Sequence, residues 1–254
     1  IRDSLRQMGP VDFIYLDPAR RDEHGSRTYA IEDCTPNVLE LRDLLLAKSQ
    51  YTLVKLSPML DWRKAVADFD GTVREVHIVA TGNECKELLL VLGQQVHEEP
   101  SAPRVFCVND NQRIDYDSAA YTQGLRIGGK PLPEAKNYLY EPNASIMKAG
   151  CFDLVEERFG VTQVGPSSHL FVSATPVADF PGRGFAIEAI GGMNKKDIKR
   201  LLNGTKQANI AVRNFPLTAP QLRKKLKLAD GGPVYLFGTT MQGCDHVLLR
   251  TSKI

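Results

Sequence analysis

The sequence predicts an α/β amino-terminal region followed by α+β segments, and three observations carry that prediction. Val11–Leu16 (VDFIYL) is an apolar run closed at once by Asp17-Pro18. That is the pattern of a strand buried on both faces and stopped by a residue that cannot donate to a ladder. Helical and strand periodicities alternate after it, as the crossovers between parallel strands require. Glu75–Ala80 and Lys86–Leu92 are then joined by four to five residues, the spacing of an antiparallel hairpin. Such a chain delivers Asp17 to the carboxyl end of a central strand, where open α/β sheets bind ligands.

Taken in order, Ile1–Gly9 reads as the tail of a helix stopped by Gly9-Pro10. After the first strand, Asp22–Thr28 is a polar loop. Thr35 is a cap, with Pro36 at the first helical position and Val38, Leu41, Leu44 and Leu45 at helical spacing. Tyr51–Leu56 is a second buried strand, and Asp61 caps a helix over Trp62–Phe69. Gln94–Pro103 turns polar and marks a linker. Beyond it, Arg104–Val108, Lys136–Tyr140 and His169–Ala174 read as strands around one helix, Ala144–Phe159, closed by Gly160. The last part runs strand (Phe185–Ile190), helix capped by Asn194, strand (Ala208–Arg213), helix and closing hairpin. Thr218 and Gln221 form a capping box for its second helix.

Composition excludes some classes. No apolar run approaches the ~18 residues that span a bilayer, so no membrane partner is expected. The five cysteines are odd in number and lack C-x-x-C spacing, which points to reduced thiols, a cytoplasmic location and no structural zinc. The five histidines have no ligand spacing, so no metal is expected, although His24 lies in the loop after Asp17. The net charge of +2 hides an asymmetry, because Arg183–Ile254 holds 13 Lys and Arg against 4 Asp and Glu. A surplus of that size suggests a polyanion-binding module, or else a solvated basic face. Lys195, Lys196 and Lys199 fall on one helix and Arg223, Lys224, Lys225 and Lys227 on and just beyond the next. Together with Arg213 they are candidate phosphate contacts. Gly124–Pro131 (GLRIGGKP) imitates a phosphate loop, but Pro131 stands where a metal-binding hydroxyl belongs.

Tyr15–Arg21 (YLDPARR) resembles the motif after the fourth strand of class I S-adenosylmethionine-dependent methyltransferases, where an Asp-Pro turn faces donor and target. The likeness covers about the first 97 residues. Ala211–Leu228 (AVRNFPLTAPQLRKKLKL) and Val234–Thr240 (VYLFGTT) resemble the THUMP-like domain that follows such domains in certain bacterial proteins. The resemblance implies a partial Rossmann-like methyltransferase sheet ending in an antiparallel hairpin (1–97), then two small α+β modules, a connector (98–182) and a basic THUMP-like domain (183–254). It also implies S-adenosylmethionine as cofactor and RNA (tRNA or rRNA) as partner.

On this reading Asp17, Pro18 and Arg20 are the catalytic candidates. The carboxylate takes a hydrogen bond from an amine and orients it, Pro18 fixes the turn, and Arg20 meets phosphate. Arg21, Tyr29 (stacking on a base) and Lys55 (at the pocket rim) are substrate-binding candidates. The plainer alternative is that Asp17-Pro18 only turns the chain. Lys55–Asp61 (KLSPMLD) has no cysteine, which disfavours covalent carbon-5 chemistry and leaves a nitrogen or oxygen target. The donor-binding glycine-rich loop has no counterpart before Val11. The expectation is therefore that the donor half lies upstream, that this chain alone is inactive, and that Val11–Leu16 is an open edge prone to self-association. The rival is a non-catalytic RNA-binding or assembly protein on a methyltransferase-like scaffold.

Overall fold

A computed structural model describes residues 1–19, 31–94, 102–121, 136–243 and 245–254. The chain divides into two units, Ile1–Thr122 with Ala144–Ala149, and Gln123–Asn143 with Gly150–Ile254.

In the first unit α1 (Arg2–Gln7) leads into β1 (Val11–Leu16). Past Asp17, Ala19 and Thr35 exchange backbone hydrogen bonds of 2.8 and 3.0 Å. That bridge occupies Thr35, so the cap of α2 (Val38–Lys48) is instead Asn37, whose side chain accepts from the N–H groups of Leu39 and Glu40. β2 (Ser49–Leu56) follows without a loop, and Asp61 caps α3 (Trp62–Asp68) as expected. β3 (Val73–Thr81) and β4 (Glu84–Gly93) form the expected hairpin. Its connection is shorter than the spacing suggested: Gly82 and Asn83 alone, at φ 56° and 62°, as a tight primed turn demands.

β5 (Arg104–Asn109) and β6 (Gln112–Asp117) complete a six-stranded sheet of order β1-β2-β4-β3-β5-β6. β1 lies parallel to β2, β4 is antiparallel between β2 and β3, and β5 is parallel to β3. Every second residue of the inner strands, such as Val54, Leu56, Val76, Ile78, Leu88 and Leu90, is buried. Each contributes about 1.5–3 kcal/mol by leaving water. α4 (Ala144–Ala149) lies on β3, β4 and β5, and the Trp62 indole N–H donates to the Ala149 carbonyl at 3.2 Å.

β1 corrects an expectation. It is an edge strand, which agrees with the open edge expected above, but it is neither central nor buried on both faces: Val11, Phe13 and Tyr15 are 39%, 53% and 53% exposed. No described strand pairs with its outer side.

The second unit holds β7 (Tyr138–Pro142), α5 (Phe152–Phe159), β8 (Thr162–Gln163), β9 (Phe171–Ser173), β10 (Gly182–Gly191), α6 (Lys195–Leu202), β11 (Asn209–Arg213), α7 (Ala219–Leu226), β12 (Val234–Thr240) and β13 (His246–Lys253). The single helix expected over Ala144–Phe159 is broken, because Gly150 takes φ 67° and separates α4 from α5. The strands form one sheet of order β11-β12-β13-β10-β7-β9-β8. α6 and α7 cover one face through Leu201, Leu222, Leu226, Leu236 and Leu248. The other face carries Leu139, Phe185, Phe237 and Leu249 under Val164 and Leu170.

The expected fold class is therefore corrected. The chain is a mixed α/β fold in two sheets, not a partial Rossmann-like sheet ending in a hairpin and followed by two small α+β modules. The first sheet runs on past the hairpin because β5 pairs with β3. The two modules merge because β10 pairs with β7 on one side and β13 on the other.

Candidate functional site

Asp17 follows directly on β1, at the carboxyl end of the two parallel strands. Strand alternation puts Asp17, Tyr15 and Phe13 on one face. The register carries Tyr51, Leu53 and Lys55 of β2 to that face beside them. Lys55 Nζ donates to Asp17 Oδ2 at 2.6 Å and stands 3.9 Å from Glu87 Oε1 on β4. The hydrogen bond to Asp17 raises the lysine above its ordinary value, burial opposes this, and the Glu87 charge adds to it. Lys55 therefore stays an ammonium at neutral pH. The second oxygen of Glu87, Oε2, is buried without a hydrogen-bond partner among the described residues. Asp17 is about half exposed, at 47% of its side chain, so its carboxylate is open to a ligand.

Asp17, Pro18 and Lys55 thus come together, with Pro18 buried behind the turn. Arg20, Arg21, Tyr29 and His24 lie outside the described residues, as does the Gly124–Pro131 motif. Three residues escaped the sequence reading. Glu87 was hidden because only the β2–β4 register brings it to Lys55. Tyr15 and Phe13 fall in the run that the sequence predicts as buried, although their spacing from Asp17 by two and four residues places them on its face. A cleft of about 700 Å³ opens at the opposite, amino end of these strands, lined in part by Val11, Tyr51, Arg74, Glu75 and Arg104. Parallel sheets bind ligands at the other end. Among the described residues no cluster of three His, Cys, Asp or Glu could hold a metal.

The basic candidates of the second unit separate by face. Lys195, Lys196 and Lys199 on α6 are exposed, as are Lys224 and Lys225 on α7 and Lys227 at its end. Arg223 is engaged structurally, donating to the carbonyls of Ala208 and Ala229 and pairing with Asp230 at 2.6 Å. Arg213 lies on the opposite face of the sheet, because Ile210 and Val212 point to the helices and Ala211 away from them. There its Nη2 donates to buried Glu141 at 2.7 Å.

Residues 182–253 match the family described as THUMP domain-like, and residues 138–181 one described as a ferredoxin-like domain. A crystal structure described as a "putative methyltransferase" from Porphyromonas gingivalis W83 shares 35% identity and superposes with a TM-score of 0.83, over 95% of this chain. The chain is methyltransferase-like and ends in a THUMP-like domain. It spans 59% of the length of that methyltransferase-like relative. The description matched ahead of the THUMP-like domain is ferredoxin-like and not Rossmann-like, which with the two-sheet topology overturns the expected fold class. None of the curated proteins matches the chain. No helix among the described residues is long and apolar enough to cross a membrane.

Proposed function

We propose that this methyltransferase-like chain supplies the acceptor side of an S-adenosylmethionine-dependent RNA methyltransferase that acts on a nitrogen or oxygen. The observation that carries this reading is the Asp17–Lys55 pair at a strand end, beside two exposed aromatic rings. Lys55 binds Oδ2 and holds the carboxylate in one orientation, so Oδ1 is the oxygen that receives an N–H or O–H of the target. Tyr15 and Phe13 offer a flat apolar surface for the base that bears it. Because Glu87 shares Lys55, the cluster Asp17–Lys55–Glu87 keeps a net negative charge, which favours a polarised N–H.

S-adenosylmethionine is the methyl donor that this reading implies. The described residues fit the acceptor better than the donor. Among the described residues no glycine-rich turn with an acidic ribose ligand accompanies β1. Calorimetry on this chain should accordingly register weak or no binding of S-adenosylmethionine.

RNA is the substrate class supported by the THUMP-like match and by the exposed lysines of α6 and α7. The open edge of β1 supports self-association, which light scattering reads directly.

The deciding experiment is complementation. Cells lacking the gene receive either the intact gene or its Asp17→Asn form, and RNA nucleosides are compared by mass spectrometry. The expected result is one methylated nucleoside restored by the first and reduced at least about tenfold with the second, as for a lost orienting group. Equal restoration by both would remove Asp17 from the chemistry. No nucleoside change on deletion, with RNA binding retained, would favour the non-catalytic scaffold.

A further inference from the structure

Behind the THUMP-like domain's lysine-bearing helices, the other face of the sheet carries a second arrangement of charge. Glu141 of β7 and Arg183 of β10 are direct register partners, and the Arg183 guanidinium grips Glu141 Oε2 through Nε at 3.0 Å and through Nη2. Arg213, at the end of β11, holds Oε1 of the same carboxylate at 2.7 Å. Glu141 is 4% exposed, while the arginines are 46% and 38% exposed. One carboxylate faces two guanidiniums, so the cluster keeps one unit of positive charge.

Two further atoms mark where that charge is directed. Among the described residues, Arg213 Nε–H is buried and has no hydrogen-bond partner, and the same holds for Thr239 Oγ1. Arg213 and Thr239 are register partners on β11 and β12, so the two orphaned groups stand side by side on one face. A buried donor without an acceptor costs about 1–3 kcal/mol, which is recovered when an oxygen ligand arrives. His169 lies close enough to Arg213 for its charge to act there. Burial first, and then that charge, hold His169 below its ordinary value, so it is neutral at pH 7.

We infer that Arg183, Arg213 and Thr239, locked by Glu141, form a clamp for one phosphate group of an RNA strand. Arg213 gives Nη2 to Glu141 and Nη1 to the Val212 carbonyl at 3.2 Å, and Arg183 gives Nε and Nη2 to Glu141. Arg213 Nε and Arg183 Nη1 therefore remain for single charged hydrogen bonds to phosphate oxygens, and a pre-oriented pair loses little freedom on making them. The inference rests on the RNA reading for the source of the phosphate, although the anion site does not depend on it.

The test uses the whole chain and two probes: a single-stranded oligoribonucleotide, read by fluorescence anisotropy over a salt series, and inorganic phosphate, read by the NMR signals of arginine Nε–H groups. Arg183→Gln and Arg213→Gln are made singly, since Glu141 then keeps one partner. Each should weaken RNA binding about tenfold, the equivalent of one charged hydrogen bond. Each should also lower the slope of log K against log salt by about 0.7, one single-strand phosphate contact. In the wild-type chain the Arg213 Nε–H signal should move saturably with phosphate.

If both variants bind RNA with unchanged affinity and slope while Lys195→Glu and Lys199→Glu weaken it, the clamp is structural and the inference falls with the RNA reading intact. If RNA does not bind but phosphate still moves the Arg213 signal, the anion site stands and RNA as its source is overturned. If neither probe acts, both fall. A variant that fails to fold leaves the wild-type NMR titration to decide.

Discussion

The two units carry inverse triads. In the first an ammonium sits between two carboxylates, Asp17–Lys55–Glu87; in the second a carboxylate sits between two guanidiniums, Arg183–Glu141–Arg213. The central Lys55 is 24% exposed and the central Glu141 is 4% exposed. The difference teaches what each can do. The lysine pins one oxygen of a half-exposed carboxylate and leaves the other open to an incoming group. A buried glutamate fixes two rigid forks in place while both arginines stay partly exposed.

The largest effect that tests this contrast is the Arg183→Ala, Arg213→Ala double substitution. It strands the Glu141 charge and should cost the second unit about 3–5 kcal/mol. Urea unfolding followed by Trp-independent circular dichroism measures it, and a loss near zero would mean that the carboxylate is not confined. Removing Lys55, the centre of the open triad, by Lys55→Met should cost no more than about 1 kcal/mol, because its neighbours are partly solvated. A loss as large as that of the double arginine variant would erase the distinction.

The smallest expected effects are in pH, at opposite ends of the scale. His169 is held below its ordinary 6.5, so between that depressed value and 6.5 the unfolded chain binds more protons than the folded one. Stability conferred by the second unit should therefore fall as pH drops below about 6.5. His169→Gln should flatten that acid limb. Lys55 is held above 10.5, so its contribution is complete below 10.5 and is lost only as pH rises through the raised value. Near neutrality Lys55→Met should therefore leave the pH dependence of stability unchanged, and a dependence there that the substitution abolishes would contradict this.

Features set by neighbouring residues were legible from the sequence. The α6 bounds, the Asn194 cap, the Thr218–Gln221 capping box and the proline stop at Pro18 follow from local hydrogen bonding and from ring geometry. Features set by pairing across the chain were not. β6 (QRIDYD) buries only Ile114 and Tyr116, so its polar half hides a strand that exists because β5 offers it a ladder. Glu141 looked like an ordinary charged residue, yet its partners lie 42 and 72 residues away. Asp17 was legible as a strand-end carboxylate, whereas Glu87 needed the antiparallel register of β4.

β11 borders its sheet, with α6 and α7 on one side of it and Arg213 on the other. On the proposed RNA reading, a strand that touches the helix lysines and Arg213 at once must fold around that border. Duplexes are far too stiff to bend so sharply, whereas an unpaired stretch or a hairpin loop does so freely. If the proposed RNA reading holds, the border position of one strand would favour pliable RNA over paired RNA, without reading a single base.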